Sequence, residues 1–325
     1  MTSWLDALAD AWNELGQTAP VSRQYRSKLI SKDVSLEIRA GMRAIDNAPC
    51  LMLQTALAPD AIFELSGMRL SSVPDDTVPL LVLSLEDSSR CDLFSTICAD
   101  VVAAAALADR NEALDQFLAR LDAWRQFLRD RRDGLSRPET IGLIGELVVL
   151  ERLLANDPYR LASWQSPVDG LHDFQSNGHA LEVKAGLGPS STITISRLDQ
   201  LDTAGLRRLD LLHVRLIESP DGRSLRDIIA AVTDVLPDDF SRRNFENALL
   251  RRGLLPNDAA ARAAPRVQPR TIDGYKVDGD FPRLARASLP QAITDAQYTL
   301  DIRALSQFAA DTTEVLRLFQ GEALS

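Results

Sequence analysis

The sequence is poor in the residues on which disulfide frameworks, zinc sites and membrane spans depend. Its 325 residues include three cysteines, Cys50, Cys91 and Cys98. Their number is odd and no CxxC pair occurs, which argues against both a disulfide framework and a zinc site. No stretch approaches the roughly 20 apolar residues that span a bilayer, so we expect no membrane partner. Because the N-terminus is acidic and amphipathic, unlike an export signal, we expect a cytoplasmic protein.

Signatures of nucleotide-driven chemistry are also missing. The sequence has no glycine-rich phosphate loop and no GxSxG elbow, so ATP-driven activity is not expected. Hydrophobic residues make up 45% and charged residues 25%, which is typical of a soluble globular protein. At this length, two domains or one core with an accessory lobe are expected.

The net charge of −10 argues against a nucleic-acid partner, because phosphate contacts need lysine and arginine. Basic residues nevertheless concentrate in two segments, and each segment could flank a DNA groove or form a solvated face. The first contains Arg125, Arg129, Arg131, Arg132 and Arg137, and the second contains Arg251, Arg252, Arg262, Arg266, Arg270, Lys276, Arg283 and Arg286. With weak overall electrostatics, a partner protein could deliver the DNA.

A tight hairpin is predicted around Asn177-Gly178. This dipeptide tolerates positive φ at both central positions of a type I′ turn. With these two as the loop, Ser176 pairs with His179 and Phe174 with Leu181, which sets Asp173 opposite Glu182. Since side chains alternate along a strand, Lys184 shares the face of Glu182, while Phe174, Leu181 and Val183 line the other face.

Two carboxylates placed opposite each other repel, so the pair Asp173 and Glu182 indicates a cation between them. Carboxylate oxygens suit Mg²⁺ or Mn²⁺, and Mg²⁺ usually takes one or two protein carboxylates and leaves positions for water and phosphate. The alternative is a solvated hairpin face on which Glu182 and Lys184 are ordinary surface charges.

Two further features favour a functional site. Only four of the 36 basic residues are lysines, so a basic position without a special role would far more often carry arginine. This favours a specific need for an ammonium group at position 184. Glu146 lies in a segment, residues 142–154, that is apolar around most of its helical circumference, where burial of an unpartnered charge is costly. Gly142 and Gly145 would let this helix approach a neighbour closely, which would bring Glu146 to the hairpin. The alternative is a glutamate at an exposed helix edge.

Glu146 on a helix, Asp173, and Glu182-Val183-Lys184 on a hairpin resemble the PD-(D/E)XK nuclease superfamily. The chain resembles more closely a bacterial family named for this motif, through the runs at 142–154, 164–173, 181–184, 192–201 and 275–284. Its members tend to be encoded among restriction and phage-defence genes. The similarity spans about residues 110–305, and His172 stands where the motif has proline.

The resemblance implies a role for each motif residue. Asp173 and Glu182 would hold Mg²⁺, for which Mn²⁺ could substitute, with the backbone carbonyl of Val183 as a further ligand. Lys184 would orient or deprotonate the attacking water, and Glu146 would bind a second metal or a metal-bound water. Gln200 could support the site or be an exposed polar residue. The implied activity is metal-dependent hydrolysis of DNA phosphodiester bonds.

The implied fold is α/β: a restriction-endonuclease-like core of helix, antiparallel strand meander, helix and strand. We expect an N-terminal α+β lobe at 1–110, the nuclease core at 111–220, and a C-terminal helical and strand extension at 221–325. The lobe could bind DNA or a partner, or mediate dimerisation. The alternative function is a nuclease-like subunit that binds DNA or other defence proteins without cutting alone. RNA cleavage also stays open, and cutting both strands would usually require a homodimer.

Overall fold

The computed structural model of the chain describes residues 3–18, 24–30, 36–55, 63–74, 78–130, 135–165, 170–255 and 264–321. Arg131, Arg132 and Arg262 of the two basic segments lie outside these ranges. The chain forms two compact units, Met1–Arg132 and Asp133–Ser325. The three-segment division stays a prediction, and its first boundary does not coincide with this one. No helix within the described ranges has the length and apolar character to cross a bilayer.

The first unit combines three helices with an antiparallel sheet, as expected of an α+β lobe. The helices are α1 (Trp4–Gln17), α2 (Cys91–Ala106) and α3 (Ala113–Asp130). The strands are β1 (Tyr25–Leu29), β2 (Ile38–Arg43), β3 (Pro49–Gln54), β4 (Phe63–Leu65), β5 (Met68–Val73) and β6 (Leu80–Leu85), in the order β1-β2-β3-β6-β5-β4. Asp100 of α2 accepts hydrogen bonds from Arg120 and from the indole of Trp124, and so joins α2 to α3.

The second unit contains the long helix α4 (Arg137–Asn156). The sequence predicts a helix start here, because Ser136 is a good N-cap with Glu139 three residues on and Pro138 in the first turn. Ser136 caps this helix: its hydroxyl accepts from the backbone of Glu139, whose carboxylate accepts in turn from the backbone of Ser136. This reciprocal capping box satisfies two backbone donors at the helix start. Twelve residues of α4 are buried, Glu146 among them. An amphipathic surface helix would bury fewer, so α4 is a central element of the unit.

The predicted hairpin forms with the predicted register. Asn177 and Gly178 have φ of 49° and 78°, as a type I′ turn requires. Strands β7 (Phe174–Ser176) and β8 (His179–Leu187) pair Phe174 with Leu181 and Ser176 with His179. Asp173 directly precedes β7. The turn therefore fixes which face of β8 each side chain takes.

A five-stranded sheet in the order β13-β11-β10-β8-β7 carries the hairpin. Strand β10 (Arg208–Arg223) runs parallel to β8, and β11 (Val267–Lys276) runs antiparallel to β10. The remaining strands of the unit are β9 (Thr192–Ile195), β12 (Tyr298–Asp301) and β13 (Ala309–Ala310). The described part of the unit also contains the α-helices α5 (Leu225–Val235), α6 (Asp239–Arg251) and α7 (Thr312–Phe319).

The sequence also predicts a strand near 161–165 and, from alternation, a strand pair over 273–303. Both assignments are wrong. Residues 158–163 form a 3-10 helix, because Asp157 caps it from the start and Pro158 suits its first turn, and only Trp164 bridges to Phe174. The run 273–303 does not pair with itself: β11 ends within it and pairs with β10, whereas β12 pairs with β9. Alternation along a chain identifies strands but does not identify their partners.

The close approach of α4 to the sheet depends on one of its two glycines. A Cβ on Gly145 would lie 2.4 Å from the Cβ of Ala185 on β8, whereas a Cβ on Gly142 would meet nothing within 4 Å. Gly145 therefore fulfils the predicted role of a contact glycine, and Gly142 does not. This contact sets α4, and with it Glu146, against the hairpin strand.

The same substitution at the two glycines should have opposite effects. Gly145→Ala overpacks the contact with Ala185, and we expect a loss of about 1–3 kcal/mol in the free energy of unfolding. Gly142→Ala is the matched control and should gain up to ~1 kcal/mol from helix propensity. Urea denaturation followed by circular dichroism measures both. Equal effects at the two positions would contradict the close packing of α4 on β8.

Candidate active site

The Asp173 carboxylate is fixed by the opposite strand of the hairpin. One of its oxygens accepts a hydrogen bond from the backbone N–H of Val183 at 2.8 Å. The backbone carbonyl of Asp173 accepts from Gln165 at 2.9 Å, which ties the segment before β7 to Trp164 and its neighbours. The Val183 side chain packs into the apolar core beside α4. Only the backbone of Val183 can therefore take part in the site.

Glu182 and Lys184 project together from the other face of β8, as the strand alternation predicts. The Lys184 Nζ lies 2.7 Å from one Glu182 oxygen and 3.3 Å from the Gln200 side-chain oxygen. Gln200 belongs to a short 3-10 helix, Leu198–Leu201, and its oxygen also accepts the backbone N–H of Ser196 at 2.9 Å. Gln200 is thus a contact of Lys184. Glu182 itself is only 1% exposed.

Glu146 reaches the same site from α4. It is 7% exposed, and one of its oxygens accepts a hydrogen bond from the Trp164 indole at 2.9 Å. The same oxygen forms an ion pair with Arg252. The arrangement differs from that of a glutamate at an exposed helix edge, and it requires both partners because a buried lone carboxylate is costly.

Arg252 links the helix carboxylate to the hairpin carboxylate. Besides its contact with Glu146, its guanidinium lies 3.3 Å from Asp173 Oδ1 and 5.7 Å from the centroid of the Trp164 ring. The residue directly follows α6, and its side chain is 15% exposed. Neither Arg252 nor Trp164 was among the predicted site residues. Arg252 stood only in a basic segment of the sequence, and Trp164 in a predicted strand.

Burial and crowding of carboxylates dominate the electrostatics of the site. Burial, followed by repulsion from Asp173, raises the pKa of Glu182 to about 8 despite the nearby Lys184. Burial likewise raises the pKa of Glu146 to about 8, although Arg252 opposes the shift. Burial alone would lower the pKa of Lys184, but the surrounding carboxylates, Glu182 first, raise it. Three carboxylates thus share two cations, Lys184 and Arg252.

The donor chemistry of the site suits a hard cation, although its present geometry is not that of a metal centre. Within the described ranges, no three His, Cys, Asp or Glu side chains are grouped so that they could hold a metal ion. Glu182 Oε2 is nevertheless buried and has no hydrogen-bond partner. An unpartnered buried carboxylate oxygen is rare, and it points to a missing proton or ligand. Arg252 stands between the other two carboxylates.

The architecture and these residues define a class of protein. The mixed α/β core, with a helix glutamate beside an aspartate and a Glu-x-Lys strand, is compatible with a restriction-endonuclease-like PD-(D/E)XK fold. A family model described as "Putative PD-(D/E)XK family member, (DUF4420)" matches residues 8–303, and the chain belongs to this family. The match reaches further toward the N-terminus than the predicted similarity. No curated protein and no solved structure matches the chain.

The raised pKa of Glu182 predicts a pH-dependent effect of Glu182→Gln. An unfolded glutamate ionises near its ordinary value of 4.5, whereas the folded group ionises near 8. The stability gained from the protonated carboxyl is complete below pH 4.5 and is lost as the pH rises through 8. Glutamine keeps the shape and does not titrate, so the variant should gain stability over the wild type between these values, by a few kcal/mol at most.

Urea denaturation in EDTA at pH 5.5 and pH 8.5 tests this expectation. The stability difference between Glu182→Gln and the wild type should shift in favour of the variant at the higher pH. A difference that stays constant between the two pH values would show that Glu182 titrates normally.

Proposed function

We propose that this protein is a metal-dependent endonuclease that hydrolyses DNA phosphodiester bonds, acting in restriction or phage defence. The observation that carries the proposal is the buried Glu182-Lys184 pair on β8, which has a Glu182 oxygen without a partner and Asp173 bound to the residue between them. Most buried polar atoms that serve only the fold have a hydrogen-bond partner. Membership of the PD-(D/E)XK family also supports the proposed nuclease activity.

In this proposal Asp173 and Glu182, with the Val183 backbone, hold Mg²⁺ or Mn²⁺. The bound ion would polarise the scissile phosphate and acidify water. Lys184 holds the attacking water by a hydrogen bond and offsets negative charge that builds on the phosphate. Gln200 keeps the Lys184 ammonium in place, since its oxygen is itself fixed by the backbone of Ser196.

Glu146 and Arg252 act on the other side of the site. Glu146 is proposed to bind a second metal or a metal-bound water once it is ionised. Burial raises its pKa to about 8 even with Arg252 beside it, so a further cation would be needed to stabilise the charged form. A divalent ion held by Asp173 would compete with Arg252 for that carboxylate. Arginine and metal are therefore competitors for the same carboxylates.

A second candidate function is a nuclease-like subunit that binds DNA or other defence proteins and does not cut alone. The net charge of −10 and the contact of Arg252 with two carboxylates favour it. In either case we propose that the chain acts in the cytoplasm and meets its target as a homodimer if it cuts both strands. The metal chemistry would also cut RNA, because it does not read the 2′-OH.

Cleavage of supercoiled plasmid and linear duplex in Mg²⁺ or Mn²⁺ tests the proposed activity. The wild type should cut and EDTA should stop it. Lys184→Ala should lose at least ~100-fold in rate, because a positioned proton-transfer group contributes about that much. Gln200→Ala should lose less, since Gln200 acts only through Lys184.

Calorimetry of metal binding separates the two candidate functions. Metal binding with no cutting on any DNA would favour the partner-dependent subunit. Absence of both metal binding and cutting would refute the proposed enzymatic activity. RNA of matched sequence, assayed in parallel, decides between the two nucleic acids.

Removal of the arginine should change metal affinity and metal-free stability in opposite directions. Arg252→Ala takes a positive charge away from Glu146 and Asp173, so Mn²⁺ binding measured by calorimetry should tighten roughly tenfold or more. In EDTA the same variant should melt at a lower temperature, because buried carboxylates lose their partner.

Arg251→Ala is the matched control for this experiment. Arg251 ends α6 beside Arg252, and it lines a cavity whose wall also includes Tyr159 and Asn244. It should leave Mn²⁺ affinity unchanged. Equal Mn²⁺ affinity in Arg252→Ala and the wild type would show that the arginine and the metal occupy separate places.

A further inference from the structure

A cavity of about 280 Å³ opens beside the N-terminal end of β10. Four basic side chains line it: Arg207, Arg208, Lys276 and Arg283. The apolar side chains of Leu209 and Val277 also line it, and both belong to the cluster that packs on the Glu182 face of the sheet. We name it the Arg283 cavity. None of its lining residues was predicted as part of the active site.

The basic side chains of the Arg283 cavity outnumber the carboxylates that pair with them. Arg208 forms two hydrogen bonds with Asp210, and Lys276 lies 2.5 Å from Asp278 with both side chains about half exposed. Arg207 donates to the backbone oxygen of Asn177. No carboxylate contact with Arg207 or Arg283 is found among the residues that the structure describes. The cavity is thus a positive spot on a chain whose net charge is −10.

Arg283 has an unused donor that an anion would satisfy. Its Nη2 donates to the Thr203 hydroxyl at 3.3 Å, but its Nη1 is buried and has no hydrogen-bond partner. A guanidinium presents several donors in a planar fork that matches the oxygens of a phosphate. A buried N–H without an acceptor is costly. A phosphate oxygen is the ligand that would remove this cost and balance the charge.

The strand register relates the Arg283 cavity to the candidate active site. Leu209, in the cavity wall, pairs with Ala180 on the parallel strand β8. Ala180 lies two residues before Glu182 on the same face, about 7 Å along β8 at ~3.3 Å per residue, and Leu209 lies one strand further, ~4.8 Å to the side, so the backbone positions of Leu209 and Glu182 are about 8 Å apart. A nucleic-acid strand carries one phosphate per ~3.4 Å of duplex axis, so a single strand can contact both places.

We propose that the Arg283 cavity binds a backbone phosphate of a nucleic-acid strand, close to the scissile phosphate of the same strand at the Glu182-Lys184 site. This inference rests on the proposed function. The contact is independent of sequence, because phosphates carry no base information. It supplies the positive charge that the chain as a whole lacks, and it positions the strand across the active site.

The dependence of DNA affinity on salt tests the inference. The Lys184→Ala protein in Mg²⁺ avoids cutting, and fluorescence anisotropy of a labelled duplex gives the affinity at several salt concentrations. Adding Lys276→Gln and Arg283→Gln should weaken binding and flatten the slope of log K against log salt by about 1, the contribution of one neutralised phosphate.

A matched double variant controls for overall charge. Arg226→Gln with Arg303→Gln removes the same two charges from exposed positions outside the cavity. It should leave the slope unchanged. Thermal melts of both double variants check that each is folded. An equal slope in the cavity variant and the parent protein, or equal losses in both double variants, would overturn the inference, as would absence of DNA binding by the parent.

Inorganic phosphate distinguishes a strand from a free anion. Thermal stabilisation by phosphate that the cavity variant loses, together with an unchanged DNA slope, would assign the cavity to a small anion and overturn the strand contact. The experiments can also refute the proposed nuclease activity and the proposed phosphate contact independently of each other. A wild type that binds DNA through the cavity but never cuts would refute only the nuclease, whereas cutting with an unaffected salt slope would refute only the cavity.

Discussion

The candidate site depends on one electrostatic constraint: carboxylates from a helix and a hairpin share a buried space, and they cannot all be charged without cations. Glu146 and Glu182 are both almost fully buried. Each would be expensive to ionise alone. Lys184 and Arg252 supply two positive charges, which leaves one carboxylate in excess. Burial, followed by repulsion from Asp173, raises the pKa of both glutamates despite the two cations. A proton or a further cation restores neutrality.

The fold brings these groups together by contacts at very different sequence separations. The hairpin sets Asp173 within reach of Val183 through a two-residue turn, which is a local effect. The Gly145 contact with β8 brings Glu146 to the hairpin over about forty residues. Arg252 arrives from the end of α6, more than a hundred residues after Glu146. The site is complete only when the hairpin, the contact of α4 with β8 and the packing of α6 are all formed. Loss of α6 packing would therefore remove the positive charge of Arg252 from the carboxylates.

This hierarchy explains how much of the molecule could be predicted from its sequence. Asn177-Gly178 allowed the hairpin register to be predicted, and Ser136 with Glu139 marked the start of α4. Both features depend on residues within a few positions of each other. The strand partners of residues 298–301 and the 3-10 turn before Trp164 were not predicted, because pairing and local capping compete with alternation.

Arg252 marks the limit of sequence reasoning for the site itself. In the sequence it is one of eight cations in a basic segment, and nothing in its spacing separates it from Lys276 or Arg283. Folding separates them: Arg252 contacts the carboxylates Glu146 and Asp173, whereas Lys276 and Arg283 line a cavity beside the start of β10. The basic segment of the sequence therefore indicated contacts with anionic groups. Only the packing of α6 shows that the anionic groups at Arg252 are carboxylates of the protein itself.

The position of Arg252 also bears on the choice between an enzyme and a dependent subunit. Arg252 gives Glu146 and Asp173 a cation from within the protein. In the proposed enzyme, a divalent ion would neutralise more charge than one guanidinium, but it would compete with the two ion pairs of Arg252. The two candidate functions differ in what would displace the arginine. If metal and DNA suffice, the chain would cut alone; if a partner is needed, the same residues would form a nuclease that works only in its assembly.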